Sequence, residues 1–167
     1  IDPQGNTFTF PALIGGAGTL RVGAGAGTPL NGTVVISGVN TYTGGTVIEA
    51  AHTVQINNAG TLGAATGSLT FTNVGRGFGT VNLNGTNLTV GKLAGLGGVI
   101  RNNKSASTAL LTIGAGDEFG GLFLGAISNG VGTVAVRKIG AGAATLAGAN
   151  TWTGGTEISE GALQLGD

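Results

Sequence analysis

Residues 148–167 read G-A-N-T-W-T-G-G-T-E-I-S-E-G-A-L-Q-L-G-D, and residues 38–57 read G-V-N-T-Y-T-G-G-T-V-I-E-A-A-H-T-V-Q-I-N. Seven of the first nine positions are identical, and the two differences exchange Val for Ala and Tyr for Trp. Asn40 and Asn150 stand 110 residues apart. With one extra residue in the earlier copy, Val54-Gln55-Ile56 matches Leu163-Gln164-Leu165. Self-similarity of this kind marks a repeat architecture. Each copy has the order turn, short strand, turn, short strand, which points to an all-β solenoid.

Composition agrees with strands and not with disorder. The chain has 167 residues, 36 of them Gly, with 8% charged and a formal net charge of zero. Disorder goes with low hydrophobicity and high net charge, whereas mean hydropathy here is +0.36. Gly, Thr, Val and Asn are poor helix formers, so helix is not expected over most of the chain. Cysteine is absent, which excludes disulfides, thiolate metal sites and a thiol nucleophile. An extracellular protein built this way needs another brace, and a continuous backbone ladder supplies one. Ile1 in place of Met reads as a fragment or processed product with no signal peptide remaining. No run approaches the roughly 18–20 apolar residues of a membrane span. The seven basic residues are spread out, so no nucleic-acid footprint is expected.

Working outward from the two copies, alternating segments predict further strands at residues 19–22, 33–37, 46–50, 53–57, 68–72, 81–84, 88–90, 110–113, 122–127 and 132–136. Glycine corners are expected at 23–27 and 75–79, and R-N-N-K-S-A-S at 101–107 reads as an exposed loop. Strands this short and this regularly spaced fit a sandwich, a barrel or a solenoid, and the repeat favours the solenoid. About 20–25 residues per coil would give about seven coils, on the order of 35 Å of axis. The whole chain, 1–167, is expected to form one such segment.

In the motif itself, Asn40 and Asn150 precede Thr, where Asn can bond its own backbone and hold a turn. Gly44, Gly45, Gly154 and Gly155 allow positive φ at the next corner. Tyr42 and Trp152 are expected to cover the corner or plug the coil, and ladders of Asn or Thr would link like positions of successive coils. These roles are structural. No catalytic, cofactor or metal residue is assigned. His52 is the one histidine, without a Ser or Asp constellation near it in sequence. Asp117-Glu118 after Gly114-Ala115-Gly116 lacks the tandem glycine-aspartate repeats of calcium solenoids. Glu49, Glu157 and Glu160 do not form an obvious carboxylate pair. The G-A-G-A-G run lacks the Gly-Lys-Ser/Thr ending of a phosphate loop. Sequons at Asn31, Asn84, Asn87 and Asn103 are matched by chance in so Asn- and Thr-rich a chain.

Lys138-x-Gly-x-Gly142, Leu146-x-Gly148-x-Asn150-Thr-Trp-Thr-Gly-Gly-Thr156 and Gly161-x-Leu163-x-Leu165-Gly166 resemble the passenger-associated transport repeat of bacterial autotransporters. The first copy departs from it: the opening lysine and glycines are replaced around 27–32, and Ala51 stands where glycine is expected. With the spacer between the copies, the resemblance covers roughly residues 30–167. It implies a right-handed parallel β-helix at the cell surface or outside the cell, acting as a structural or adhesive passenger segment. A surface glycan or a host-cell ligand is then the expected partner. The amphipathic strands of an outer-membrane barrel are not recognisable in the sequence. Two alternatives remain open at this point: a subunit that stacks head to tail into a filament through its open strand edges, and a polysaccharide-active β-helix enzyme.

Overall fold

The computed structural model describes residues 1–23, 31–49, 51–72, 77–116 and 121–166. Among them every element is a strand and every strand pairing is parallel. In chain order, the first circuit contains β1 (Thr7–Phe10) and β2 (Leu20–Val22), and the second β3 (Thr33–Ile36) and β4 (Thr46–Glu49). The third contains β5 (Thr53–Ile56) and β6 (Leu69–Thr72). The fourth to sixth circuits have three strands each: β7 (Thr80–Asn82), β8 (Leu88–Val90) and β9 (Leu93–Gly95), then β10 (Val99–Asn102), β11 (Thr108–Ile113) and β12 (Gly121–Phe123). The sixth has β13 (Ala126–Asn129), β14 (Thr133–Lys138) and β15 (Ala143–Leu146), and the last β16 (Thr156–Ile158) and β17 (Ala162–Leu165).

Stacking the circuits makes three sheets, so the protein is a parallel β-solenoid. The first sheet is β1-β3-β5-β7-β10-β13, the second is β8-β11-β14-β16, and the third is β2-β4-β6-β9-β12-β15-β17. Six strands thus pass through the first sheet and seven through the third. Circuit length is not constant. Ala143 pairs with Ala162, 19 residues on, and Gly95 pairs with Phe123, 28 on.

Alternation puts one apolar column inside each sheet. In the first sheet, Val34, Val54, Val81, Ile100 and Ile127 lie in register and are fully buried. In the third, the column runs Val22, Ile48, Phe71, Gly95, Phe123, Leu146. Gly95 is what lets two phenylalanines share that column. A side chain there would press on the Phe71 backbone, 2.7 Å from its carbonyl oxygen. Without one, the rings of Phe71 and Phe123 meet across the intervening circuit, with centroids 5.3 Å apart and planes tilted by 41°.

Three local expectations need correction. The strand expected at 122–127 is broken into β12 and β13, because Gly125 makes a corner pressed against the Phe123 ring and the Gly98 carbonyl. The polar run at 101–107 is not all loop: Arg101 and Asn102 belong to β10, and Asn102 is fully buried. Residues 19–28 per circuit replace the narrower range expected, since corners differ in length. The glycine runs at 24–27 and 75–76 lie outside the described residues.

Truncating Phe71 would remove half of the ring pair and leave a cavity beside a glycine that cannot fill it. Phe71→Ala is expected to cost about 3–5 kcal/mol, measured by urea denaturation, and Phe123→Ala about the same. The double variant should cost less than the sum of the two, because the pair is in contact.

Candidate functional site

The repeated motif forms the same hydrogen-bonded clasp in both places. In the first copy, Asn40 Oδ1 accepts from the Ile14 backbone N–H of the preceding circuit at 2.8 Å, and Nδ2 donates to Gly38 O at 3.0 Å. In the second, Asn150 Oδ1 accepts from the Ile127 N–H at 2.9 Å and Nδ2 donates to Gly148 O at 2.9 Å. The asparagine thus ties its turn to itself and to the circuit before it. Turn-making accounts for the local half of this arrangement; the reach to another circuit is invisible in a sequence window.

The aromatic residue has a matching task. Tyr42 Oη lies 2.6 Å from Thr46 Oγ1, and Trp152 Nε1 donates to Thr156 Oγ1 at 2.9 Å. Thr46 is fully buried, between Leu20 and Leu69 in a column that continues to Leu93. A lone hydroxyl there would be costly to bury. The Thr46 hydroxyl shares a hydrogen bond with the Tyr42 hydroxyl and also reaches Leu62 O at 3.4 Å. Tyr and Trp are interchangeable here because each is flat, large and carries one donor at its tip. Burial raises the Tyr42 phenol to about 12, with the Thr46 hydrogen bond working the other way.

The two adjacent glycines differ. Gly45 and Gly155 have φ of +79° and +93°, the left-handed region where a side chain is strained. At Gly44 and Gly154 the backbone is ordinary, but a Cβ would come within 2.7 Å of Gly18 and 2.6 Å of Val134 respectively, both in the preceding circuit.

The copies are finished to different degrees. Over the first, Thr61 of the next circuit accepts from Asn40 Nδ2 through its carbonyl at 2.7 Å and exchanges two further bonds with the Asn40 backbone. Asn40 and Tyr42 are only 3% and 2% exposed. The second copy lies in the last circuit, where Asn150 and Trp152 are half-buried and all of β16 is exposed.

Nor do the copies lie on the same side of the solenoid. The first runs between β3 and β4, from the first sheet to the third, which is the place the second sheet occupies in later circuits. The second runs between β15 and β16, and its Thr151 bridges Ser128 in the first sheet. The 110-residue period therefore spans four and two-thirds circuits, and the motif moves round by one face.

A second polar feature is of the kind expected from Asn ladders between like positions of successive coils, at residues outside the motif's asparagines. At the corner after the first sheet, Asn84 Nδ2 donates to Asn57 Oδ1 at 2.6 Å, and Asn82 Nδ2 to Gln55 Oε1 at 3.1 Å. Asn102 Oδ1 accepts from Gly85 N at 2.8 Å, while its Nδ2 donates to Thr133 O at 3.0 Å. Asn129 continues the series to Thr153 Oγ1 at 2.7 Å. Lys138, which opens the second copy, is fully buried and its ammonium donates to the carbonyls of Ile139 and Gly140.

The remaining candidates stand apart from one another. His52 is fully buried at a corner, with Nδ1 2.9 Å from Glu49 O and Nε2 3.9 Å from Asp2 Oδ1. Burial lowers its pKa; the Asp2 carboxylate raises it and the N-terminal ammonium lowers it. Glu49 pairs with Arg21 beside the third sheet. Glu157 pairs with Arg137 on the second at 2.9 Å, and hydrogen bonds from Ser159 and Arg137 hold its carboxyl below the usual range. Asp117 and Glu118 lie outside the described residues. Among the described residues no three His, Cys, Asp or Glu side chains converge as a metal site, and no helix is long and apolar enough to cross a membrane.

Two measurements probe the clasp. Asn40→Ala leaves buried groups of two other circuits unpaired, about 2–4 kcal/mol of lost stability, whereas Asn150→Ala, with one neighbouring circuit, should cost roughly 1 kcal/mol. The Tyr42 phenol titrates higher in the folded chain than in the unfolded one. Its contribution is therefore complete below about pH 10 and declines as the pH rises toward 12, by about 2–3 kcal/mol. Tyr42→Phe should remove that alkaline loss from the stability profile, and an unchanged profile would contradict the burial argument.

Comparison with known proteins follows these elements closely. The passenger-associated-transport-repeat family matches residues 31–56 and 136–165, the two clasp-bearing segments. Over 165 residues the chain is 34% identical to the "Adhesin BmaC autotransporter" of Brucella suis biovar 1 (strain 1330), which covers 98% of this chain. The chain spans about 4% of that relative's length. No solved structure matches. Two matched repeats on a parallel β-solenoid, in a chain that aligns almost throughout with such a passenger, make this an autotransporter passenger repeat protein.

Proposed function

We propose that the chain is a structural and adhesive segment of a passenger held at the cell surface or outside the cell, and that it does no chemistry of its own. The observation that carries this reading is the likeness over 98% of the chain to a protein named an adhesin. The clasps support the structural half, since their side chains are engaged in joining circuits. Glu49 and Glu157, the acids a polysaccharide enzyme would draw on, each pair with an arginine on different sheets, which gives that alternative no support.

For the adhesive half, one flank stands out. Leu96 is 75% exposed, Leu122 45% and Leu124 39%, and Leu124 donates its backbone N–H to Gly95 O, next to Leu96. Leu96 and Leu122 line an open groove of about 310 Å3 with Phe71, Thr72 and Gly95. Contiguous apolar surface of this kind marks interaction sites. We assign this flank as the contact surface for a protein or glycan ligand on the opposing cell.

Beads coated with the chain should adhere saturably to host-cell monolayers or to an immobilised glycan panel. Each leucine buried in such a contact is worth roughly 1.5–3 kcal/mol, so Leu96→Asp with Leu122→Asp should weaken adhesion by about tenfold or more. Equal adhesion by the double variant would move the contact elsewhere. No adhesion by the parent chain would leave a purely structural segment.

A further inference from the structure

We propose that Asn31 is a site of spontaneous covalent modification, where the Gly32 nitrogen attacks the Asn31 side-chain amide and the residue becomes aspartate or isoaspartate. Asn-Gly offers this reaction the least hindrance, because the attacking nitrogen belongs to a residue with no side chain and a freely turning backbone. The chain contains three such pairs, Asn31-Gly32, Asn84-Gly85 and Asn129-Gly130. As dipeptides they are equivalent, and the fold treats them differently. At the second, Asn84 Nδ2 donates to Asn57 Oδ1 at 2.6 Å, and the Gly85 N–H, which would supply the nucleophile, donates to Asn102 Oδ1 at 2.8 Å. Both residues have positive φ, +48° and +76°, in the turn between β7 and β8. At the third, Asn129 Nδ2 donates to Thr153 Oγ1 at 2.7 Å and its Oδ1 accepts from the Val134 N–H at 2.9 Å. The Gly130 N–H donates to Gly132 O at 3.1 Å. In both pairs the amide that must turn and the nitrogen that must attack are held in place.

Asn31 has neither restraint. It is exposed and stands two residues ahead of β3. Among the described residues its side chain has no hydrogen-bond partner, and the Gly32 N–H donates to no carbonyl. The chemistry needs only water and a base. Base removes the Gly32 amide proton, the nitrogen forms a bond to Asn31 Cγ, and the Cγ–Nδ2 bond breaks. Nδ2 takes up a proton and leaves as ammonia, and the product is a cyclic imide. Water then opens the ring. Breaking the new bond to Cγ restores the backbone and leaves aspartate. Breaking the bond to the backbone carbonyl carbon leaves the chain running through Cγ, as isoaspartate. Nothing is oxidised or reduced. Either product adds a negative charge to a chain whose formal net charge is zero. Isoaspartate also adds one backbone atom just ahead of Thr33, whose N–H donates to Asn6 O at 2.8 Å and which begins the pairing of β3 with β1. The change therefore falls where the first circuit joins the second.

The test compares the folded chain with the same chain unfolded in guanidinium chloride, both held in mildly alkaline buffer. Samples taken over time are digested and mapped by mass spectrometry, and isoaspartate is confirmed by enzymatic methylation. In guanidinium the three pairs should convert at similar rates, since only the dipeptide then matters. In the folded chain Asn31 should stay within about tenfold of its unfolded rate, while Asn84 and Asn129, which need local opening first, should slow by about a hundredfold or more. Asn31→Gln, whose longer side chain would have to close a larger ring, should remove the acidic form that accumulates on ion exchange. Asn31 is exposed, so circular dichroism should show the fold of that variant retained. Gly32 is left unchanged, because a Cβ there would lie 2.7 Å from the Pro3 ring. Asn31 slowed on folding as strongly as the other two would overturn the proposal. So would Asn84 or Asn129 converting as fast as Asn31 in the folded chain, or an acidic form that persists in Asn31→Gln.

Discussion

The structure depends on one spacing. Successive circuits are joined by parallel backbone ladders about 4.8 Å apart, so every side chain has a neighbour of the same kind of position directly above and below. A column of Val, Ile and Leu at that spacing fills itself, and the first sheet does so from Val34 to Ile127. Phenylalanine at consecutive positions would crowd the interior. The third sheet solves this by placing Gly95 between Phe71 and Phe123, and the rings then use the space that glycine leaves. In a solenoid a substitution is felt along the axis before it is felt around the circuit.

The ladder cannot continue through the corners, where backbone donors and acceptors lose their regular partners. Buried groups of that kind must be paired. Asparagine does this with one side chain that both donates and accepts. Asn40 and Asn150 serve the motif, and Asn82, Asn102 and Asn129 serve the corner after the first sheet. Each bonds to a neighbouring circuit as well as to its own turn, so the corners contribute to axial cohesion. A chain with no cysteine and few charges is braced in this way, by amide groups in place of disulfides or ion-pair networks.

Much of this was legible in the sequence because a strand announces itself by alternation and a solenoid by repetition. The N-T-Y-T-G-G-T and N-T-W-T-G-G-T segments gave both the repeat and the family. What could not be read was the circuit. Corners here vary so much that the chain returns after 19 residues in one place and 28 in another. No constant period then exists for a window to detect. For the same reason Asn102 looked like part of a polar loop, although its side chain closes a buried corner. The Thr46 hydroxyl gave no sign that Tyr42, four residues earlier, was there to satisfy it.

The displacement of the motif by one face explains how a sequence repeat and a structural repeat can differ in length. Each copy is a strand, a clasp and two further strands, and needs only a preceding circuit to hold. Nothing in the clasp refers to a particular sheet: Asn40 closes against Ile14 between the first and third sheets, and Asn150 closes against Ile127 in the first. A unit defined by its contact with the circuit below can be inserted after any strand of the cross-section. The spacer between copies is then under no pressure to be a whole number of turns. Its length is set by local packing, circuit by circuit, and successive copies face different directions around the axis. A stalk built from such units presents its flanks on more than one side, a property that follows from the clasp geometry and not from any ligand.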